Sequence, residues 1–68
     1  MMWTIEYGRG HRWNRAFATR HEAIVAWIRA TEPSLEHAED RYVRPHWTSI
    51  RRMTGCKTVR VDLQGIEP

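Results

Sequence analysis

The hydrophobic pattern of this chain changes period at Thr19, and that change separates what can form before it from what can form after. Met2-Trp3-Thr4-Ile5-Glu6-Tyr7 alternates, with Trp3, Ile5 and Tyr7 on one face and Met2, Thr4 and Glu6 on the other, which is the period of a strand. Gly8-Arg9-Gly10 supplies residues that tolerate positive φ for a tight connection, and Trp13 to Ala18 reads as the returning strand, with Trp13, Arg15 and Phe17 on one face. At Thr19-Arg20-His21-Glu22 the spacing becomes that of a capping box, in which the Thr hydroxyl accepts from the Glu22 amide and the Glu22 carboxylate reaches back. Ala23, Ile24, Trp27, Ile28 and Thr31 then recur at three- and four-residue spacing, the stripe of an amphipathic helix lying on a sheet.

Pro33 interrupts that stripe, since proline in a helix interior costs about 3 kcal/mol. Leu35, Ala38 and Tyr42 nevertheless continue it. The pattern predicts a second helix capped by Thr31 or Glu32, or one helix sharply kinked at 31–33, ending by Arg44 because Pro45 disfavours helical geometry in its predecessor. Beyond Pro45 the reading returns to strands: His46 to Met53, a turn at Thr54-Gly55-Cys56-Lys57, and a closing strand. In that last strand Val59, Val61 and Leu63 point inward, Arg60, Asp62 and Gln64 point outward, and Gly65 ends it before a frayed tail at 66–68. A chain of 68 residues buries only roughly 60% of its unfolded surface, so residues 1–68 are read as one domain with one small core. The expected class is α+β: a small single-domain antiparallel sheet in ββ-αα-ββ order, with helices packed on one face. The other face is left for water or a partner, and Arg60, Asp62 and Arg51 or Arg52 are expected to look outward there, with Arg15 beside them.

Chemistry is sparse. Cys56 is alone, which rules out an internal disulfide and a thiolate cluster for zinc. His11, His21, His37 and His46 show no pair at ligand spacing, so no metal or other cofactor is expected. Gly8-Arg9-Gly10 lacks the ending and following helix of a phosphate loop and reads as a hairpin turn. Cys56 with His46 as its base is outweighed by an incidental turn cysteine, and Asp62 has no acidic companion for a nuclease site. Glu36, Glu39 and Asp40 read as the solvated side of the second helix beside Arg41. No stretch approaches the ~18 apolar residues of a membrane span, and the first ten residues lack the order of a signal peptide, so a cytoplasmic protein is expected.

What the chain does carry is guanidinium and indole. Ten of its eleven basic residues are Arg, Lys57 being the exception, and the net charge is +3. Arg makes bidentate contacts to carboxylate and phosphate and stacks on aromatic faces. Of four tryptophans, Trp27 and Trp3 fall on core faces, whereas Trp13 and Trp47 lie beside basic residues and suit an interface. The leading expectation is therefore a small non-enzymatic binding protein, monomeric or homodimeric. Arg15, Arg51, Arg52 and Arg60 pair with acidic groups of a protein partner, and Trp13 or Trp47 fills its pocket. The acidic block Glu32 to Asp40 acting as a nucleic-acid mimic is a variant of this reading. In length, single domain and lack of motif the chain resembles phage or mobile-element inhibitors, anti-CRISPR proteins among them. That resemblance implies an inhibitor blocking a host nucleic-acid-handling complex by protein contact.

Direct binding of DNA or RNA is the alternative. Trp3 to Trp27, with two short strands, a glycine turn, and Phe17-Ala18-Thr19 leading into Glu22-Ala23 and Trp27, resembles the arm-binding N-terminal domain of phage-type tyrosine integrases. That resemblance implies a sheet in the major groove with Arg9, Arg12 and Arg15 as readers. The few lysines, the acidic second helix and the C-terminal strand pair depart from it. A metal-free ribonuclease using Arg51, Arg52 and His46 is a third reading.

Overall fold

The computed structural model describes residues 1–61. Asp62, Leu63, Gln64, the expected strand end at Gly65 and the tail at 66–68 lie outside the described residues. A central strand β1 (Met2–Tyr7) pairs antiparallel with β2 (His11–Arg12) on one side and with β3 (Lys57–Val61) on the other. Helix α1 (Arg20–Thr31) packs across this sheet, and α2 (Asp40–Val43) and α3 (Trp47–Thr54) complete the helical layer. The class is α+β, with a three-stranded antiparallel sheet in the order β2-β1-β3.

Helix α1 forms where its sequence predicts, with the Thr19 half of the capping box in place and Thr31 exposed instead of on the inner stripe. Thr19 sits in extended geometry and its side chain accepts from the Glu22 amide at 3.1 Å. Ala23, Ile24, Val25 and Ile28 are buried on its inner side. The helix stops where Pro33 requires, with the Glu32 amide donating to Ile28 O at 2.8 Å and Pro33 opening a 3₁₀ turn over Pro33–Leu35.

Three expectations are corrected. The returning strand at 13–18 is broken: Trp13 N–H donates to Ile5 O at 2.8 Å, and Phe17 exchanges two bonds with Trp3 at 2.7 and 2.8 Å. Asn14, Arg15 and Ala16 therefore arch past Thr4 alone, an enlarged bulge. The Thr4 hydroxyl sustains the arch, donating to the carbonyl of Arg15 with that of Trp13 at 3.2 Å, and Thr4 is only 2% exposed.

The expected second helix is split: Glu32 caps a 3₁₀ turn over Pro33–Leu35, a loop follows, and α2 is a single turn, Asp40–Val43, that ends by Arg44 as expected, although the helical path does not stop there. A 3₁₀ turn over Arg44–His46 joins α2 to α3, with Pro45 in its first turn, where a missing N–H is not needed. Arg44 keeps helical dihedrals (φ −54, ψ −40), so residues 40–54 form one continuous helical rod.

The expected strand His46 to Met53 is accordingly helix. Trp47 and Ile50 fall on opposite faces of a strand but on one side of a helix, and both turn toward the core. Gly55, at φ 72, terminates α3 with its N–H on Arg51 O at 2.8 Å, the left-handed geometry that glycine adopts most readily.

The core comprises Ile5, Ala23, Ile24, Val25, Ile28, Val43, Trp47 and Cys56, with Trp3, Trp13, Phe17, Trp27, Leu35, Ala38 and Ile50 packed around it. Each fully buried large aliphatic contributes roughly 1.5–3 kcal/mol. Register assigns the sheet faces. Ile5 opposes Thr58 and Trp3 opposes Arg60, so these side chains share the helix-facing side. Met2, Thr4, Glu6, Arg12, Lys57, Val59 and Val61 share the other.

Candidate interaction surface

The expected bare face crowded with arginines is not what this register builds. Arg60 was expected outward and Val59 and Val61 inward, but pairing with Trp3 turns Arg60 to the helix side, where its guanidinium lies 5.3 Å from the centre of the Trp3 ring. The other face instead carries half-buried Met2 and Val59, buried Thr4 and Val61, a Lys57–Glu6 pair at 3.3 Å whose Glu6 is half-buried, and exposed Arg12. Arg51 and Arg52 belong to α3 and not to the sheet.

The arginines divide by what they touch. The Arg15 guanidinium stacks 5.1 Å from both the Trp13 and Phe17 rings, which fixes the end of the arch. Arg20 Nε donates to Thr58 Oγ1 at 2.9 Å and ties α1 to β3. Arg29 donates to Ala38 O at 2.7 Å and to Asp40 Oδ1 at 2.8 Å, clamping the loop before α2 onto α1. Arg41 has Glu39 at 3.1 Å and covers the Tyr42 ring at 4.8 Å. Among the described residues no carboxylate lies within ion-pair distance of Arg9, Arg12, Arg44, Arg51 or Arg52.

Three of those five are on the rod. Arg41, Arg44, Thr48 and Arg51 follow one another at three- and four-residue intervals, with Arg52 four after Thr48, away from the inward Val43, Trp47 and Ile50. Arg41, Arg51 and Arg52 are exposed and Arg44 is half-buried at the flank. The opposite flank carries His46, Ser49 and Met53, which line a shallow recess with Glu32, Ser34 and Leu35. His46 is thereby separated from Arg51 and Arg52, so the three residues of the ribonuclease reading do not converge.

The acidic block is dispersed as well. The 3₁₀ turn and the loop after it separate Glu36 and Glu39 from Asp40, so the three do not share a helix. Asp40 faces Arg29 and lies 3.4 Å from His21 Nε2, Glu39 meets Arg41, Glu32 lines the His46 recess, and Glu36 sits beside Arg15 and Ala30 of another. Asp40 and Glu39 are thus each paired with an arginine of the same chain, which leaves less free negative charge to imitate a nucleic acid.

Trp3 and Trp27 pack on the core as expected, whereas the two interface candidates, Trp13 and Trp47, take different places from each other. Trp47 is 3% exposed and central to the core, so it is not an interface anchor. Trp13 is half-buried, edge-on to Trp27 at 5.1 Å, in an aromatic group with Phe17 and Tyr7. Arg9 stands in the hairpin turn and Arg12 on β2, both exposed, whereas the third proposed reader, Arg15, is stacked on rings of its own chain. Cys56 is 1% exposed with its Sγ 3.0 Å from Thr54 Oγ1, out of reach of a substrate. Among the described residues there is no group of three or more His, Cys, Asp or Glu placed to hold a metal ion, and no helix long and apolar enough to cross a membrane.

Arg51 and Arg52 were expected at the contact surface but on a strand, and reading residues 46–53 as a strand hid their alignment with Arg41 and Arg44. The signal that finds them is charge continuity: residues 41–61 hold five Arg and one Lys and no Asp or Glu. Comparison with known protein families, curated proteins and solved structures finds no match.

Proposed function

We propose that this protein is a non-enzymatic binding module whose contact surface is the arginine side of the α2–α3 rod, and that its partner is an anionic macromolecule. One observation carries the reading: Arg44, Arg51 and Arg52 lie on one side of the rod with no carboxylate in ion-pair range among the described residues. Exposed guanidinium groups in such an arrangement attract anions and accelerate encounter with them. The inhibitor reading uses the same surface, with Arg51 and Arg52 on an acidic groove of a protein partner. Tyr42 (57% exposed), beside the row, then supplies apolar contact in place of the buried Trp47.

Retention on immobilised heparin tests the location of the surface. R51A/R52A and R9A/R12A remove equal charge from exposed positions on different elements. The first is expected to elute at clearly lower salt than the parent protein, and the second close to it. Equal displacement by the two pairs reduces the behaviour to net charge and removes the rod from the account.

A further inference from the structure

We infer that the rod takes duplex nucleic acid, gripping the phosphate backbone without reading bases; this rests on the proposed arginine surface and names its partner. The first argument is spacing. Arg41 to Arg52 spans eleven residue steps, about 16 Å at 1.5 Å per residue. One strand of a duplex offers a phosphate roughly every 3.4 Å along its axis, so about five phosphates pass beneath this length. Guanidinium forks bind phosphate oxygens bidentately, and Thr48, exposed in the middle of the row, adds a hydroxyl donor.

The second argument is the disposal of negative charge. A surface for phosphate must keep carboxylates off it, and the chain does so by structure as well as by sequence. Asp40 pairs with Arg29 and lies 3.4 Å from His21, Glu32 lies on the far flank with His46, and Glu36 lines a recess with Ala26, Arg29 and Ala30 of α1. Among the described residues Glu39, paired with Arg41 at one end, is the carboxylate in ion-pair contact with the row.

The third argument is what the row lacks. Interfaces between proteins concentrate affinity in buried aromatic or aliphatic anchors. Here Trp47 is buried in the core and Met53 lies on the opposite flank, so the arginines surround no apolar centre. Single strands are held by bases stacking on open aromatic faces. Tyr42 is the aromatic beside the row, and Arg41 already covers its ring. A charged, regularly spaced, apolar-poor strip therefore fits the backbone of a duplex better than an acidic protein or a single strand.

Fluorescence anisotropy with a labelled random duplex of about 20 base pairs tests this, with a single strand of equal length and poly-glutamate as competitors. Engagement of three or four phosphates gives a fall in affinity of about 40- to 150-fold between 50 and 200 mM salt. R51A/R52A is expected to lower the log–log salt slope by nearly two, with R9A/R12A leaving it near the parent value and circular dichroism showing both variants folded. Absence of duplex binding at 50 mM salt overturns the inference, as does equal competition by poly-glutamate at matched charge or stronger binding of the single strand. If heparin retention still depends on Arg51 and Arg52 in those cases, the arginine surface stands with a different partner. If it does not, the surface itself falls.

Discussion

Thr4 shows how one polar side chain sets a local path that hydrophobic alternation does not encode. Three residues, Asn14 to Ala16, pass opposite it, which leaves the carbonyls of Trp13 and Arg15 outside the sheet ladder, and its hydroxyl serves them both. Thr4→Val keeps the shape and removes the donor, leaving a buried acceptor without its partner, at a cost of about 1–3 kcal/mol. Urea unfolding is expected to show that loss, with Thr4→Ser recovering most of it; a valine variant as stable as the parent assigns the arch to packing instead. Thr4 was legible as a strand residue facing away from Ile5, but nothing in alternation announces that its partner strand will lose register for three positions. Arg15 and Trp47 were misplaced for a related reason. A sequence shows that a guanidinium or an indole is present, whereas what it touches depends on which neighbours the fold brings up, here Trp13 and Phe17 for the exposed Arg15 and the packed core for Trp47.

At the level of elements, legibility followed the strength of local signals. Helix α1 was clear because a cap, a stripe and a proline stop agree, and β1 because alternation was unbroken. The rod was obscured by Pro45 and by Trp, Thr and Ile, residues common in strands, although the three-residue interval between Trp47 and Ile50 already favoured a helix. The two ends of the helical layer offer contrasting tests. Thr19→Ala removes the acceptor of the Glu22 amide and is expected to lower stability by about 1 kcal/mol, with Thr19→Asp restoring it. Gly55→Ala places a Cβ where nothing lies within 4 Å, so its cost is purely that of positive φ, about 1 kcal/mol. Thermal melts of the two variants and of their combination should give additive losses, because the caps close opposite ends of different helices. A neutral Gly55→Ala contradicts the left-handed cap and with it the end of the rod that carries Arg51 and Arg52.

Over the whole molecule the net charge of +3 conceals a strong polarity. Residues 1–40 hold five Arg against six acidic residues, residues 41–61 six basic residues against none, and residues 62–68 two acidic ones, which gives −1, +6 and −2. The average hid a basic segment that the segment totals reveal, and only the helical form of 40–54 turns that total into a row on one side. Such a row is a standing repulsion. Like charges at helical spacing destabilise by about 0.2–0.5 kcal/mol per pair, and the Debye length falls from about 30 Å at 0.01 M salt to about 8 Å at 0.15 M. The protein is therefore expected to become more stable as salt rises from about 10 to 150 mM, by roughly 0.5 kcal/mol, or about 2–4 °C in Tm for a domain of this size. R51Q/R52Q keeps the side-chain lengths similar and removes half the row, so its melting temperature should start higher at low salt and rise less. A duplex that neutralises the row should raise the parent's melting temperature most at low salt, where binding is tightest. Parallel salt curves for parent and variant would mean that the arginines do not strain the fold, and that their lack of carboxylate partners reflects distance between them and not a surface held open for an anion.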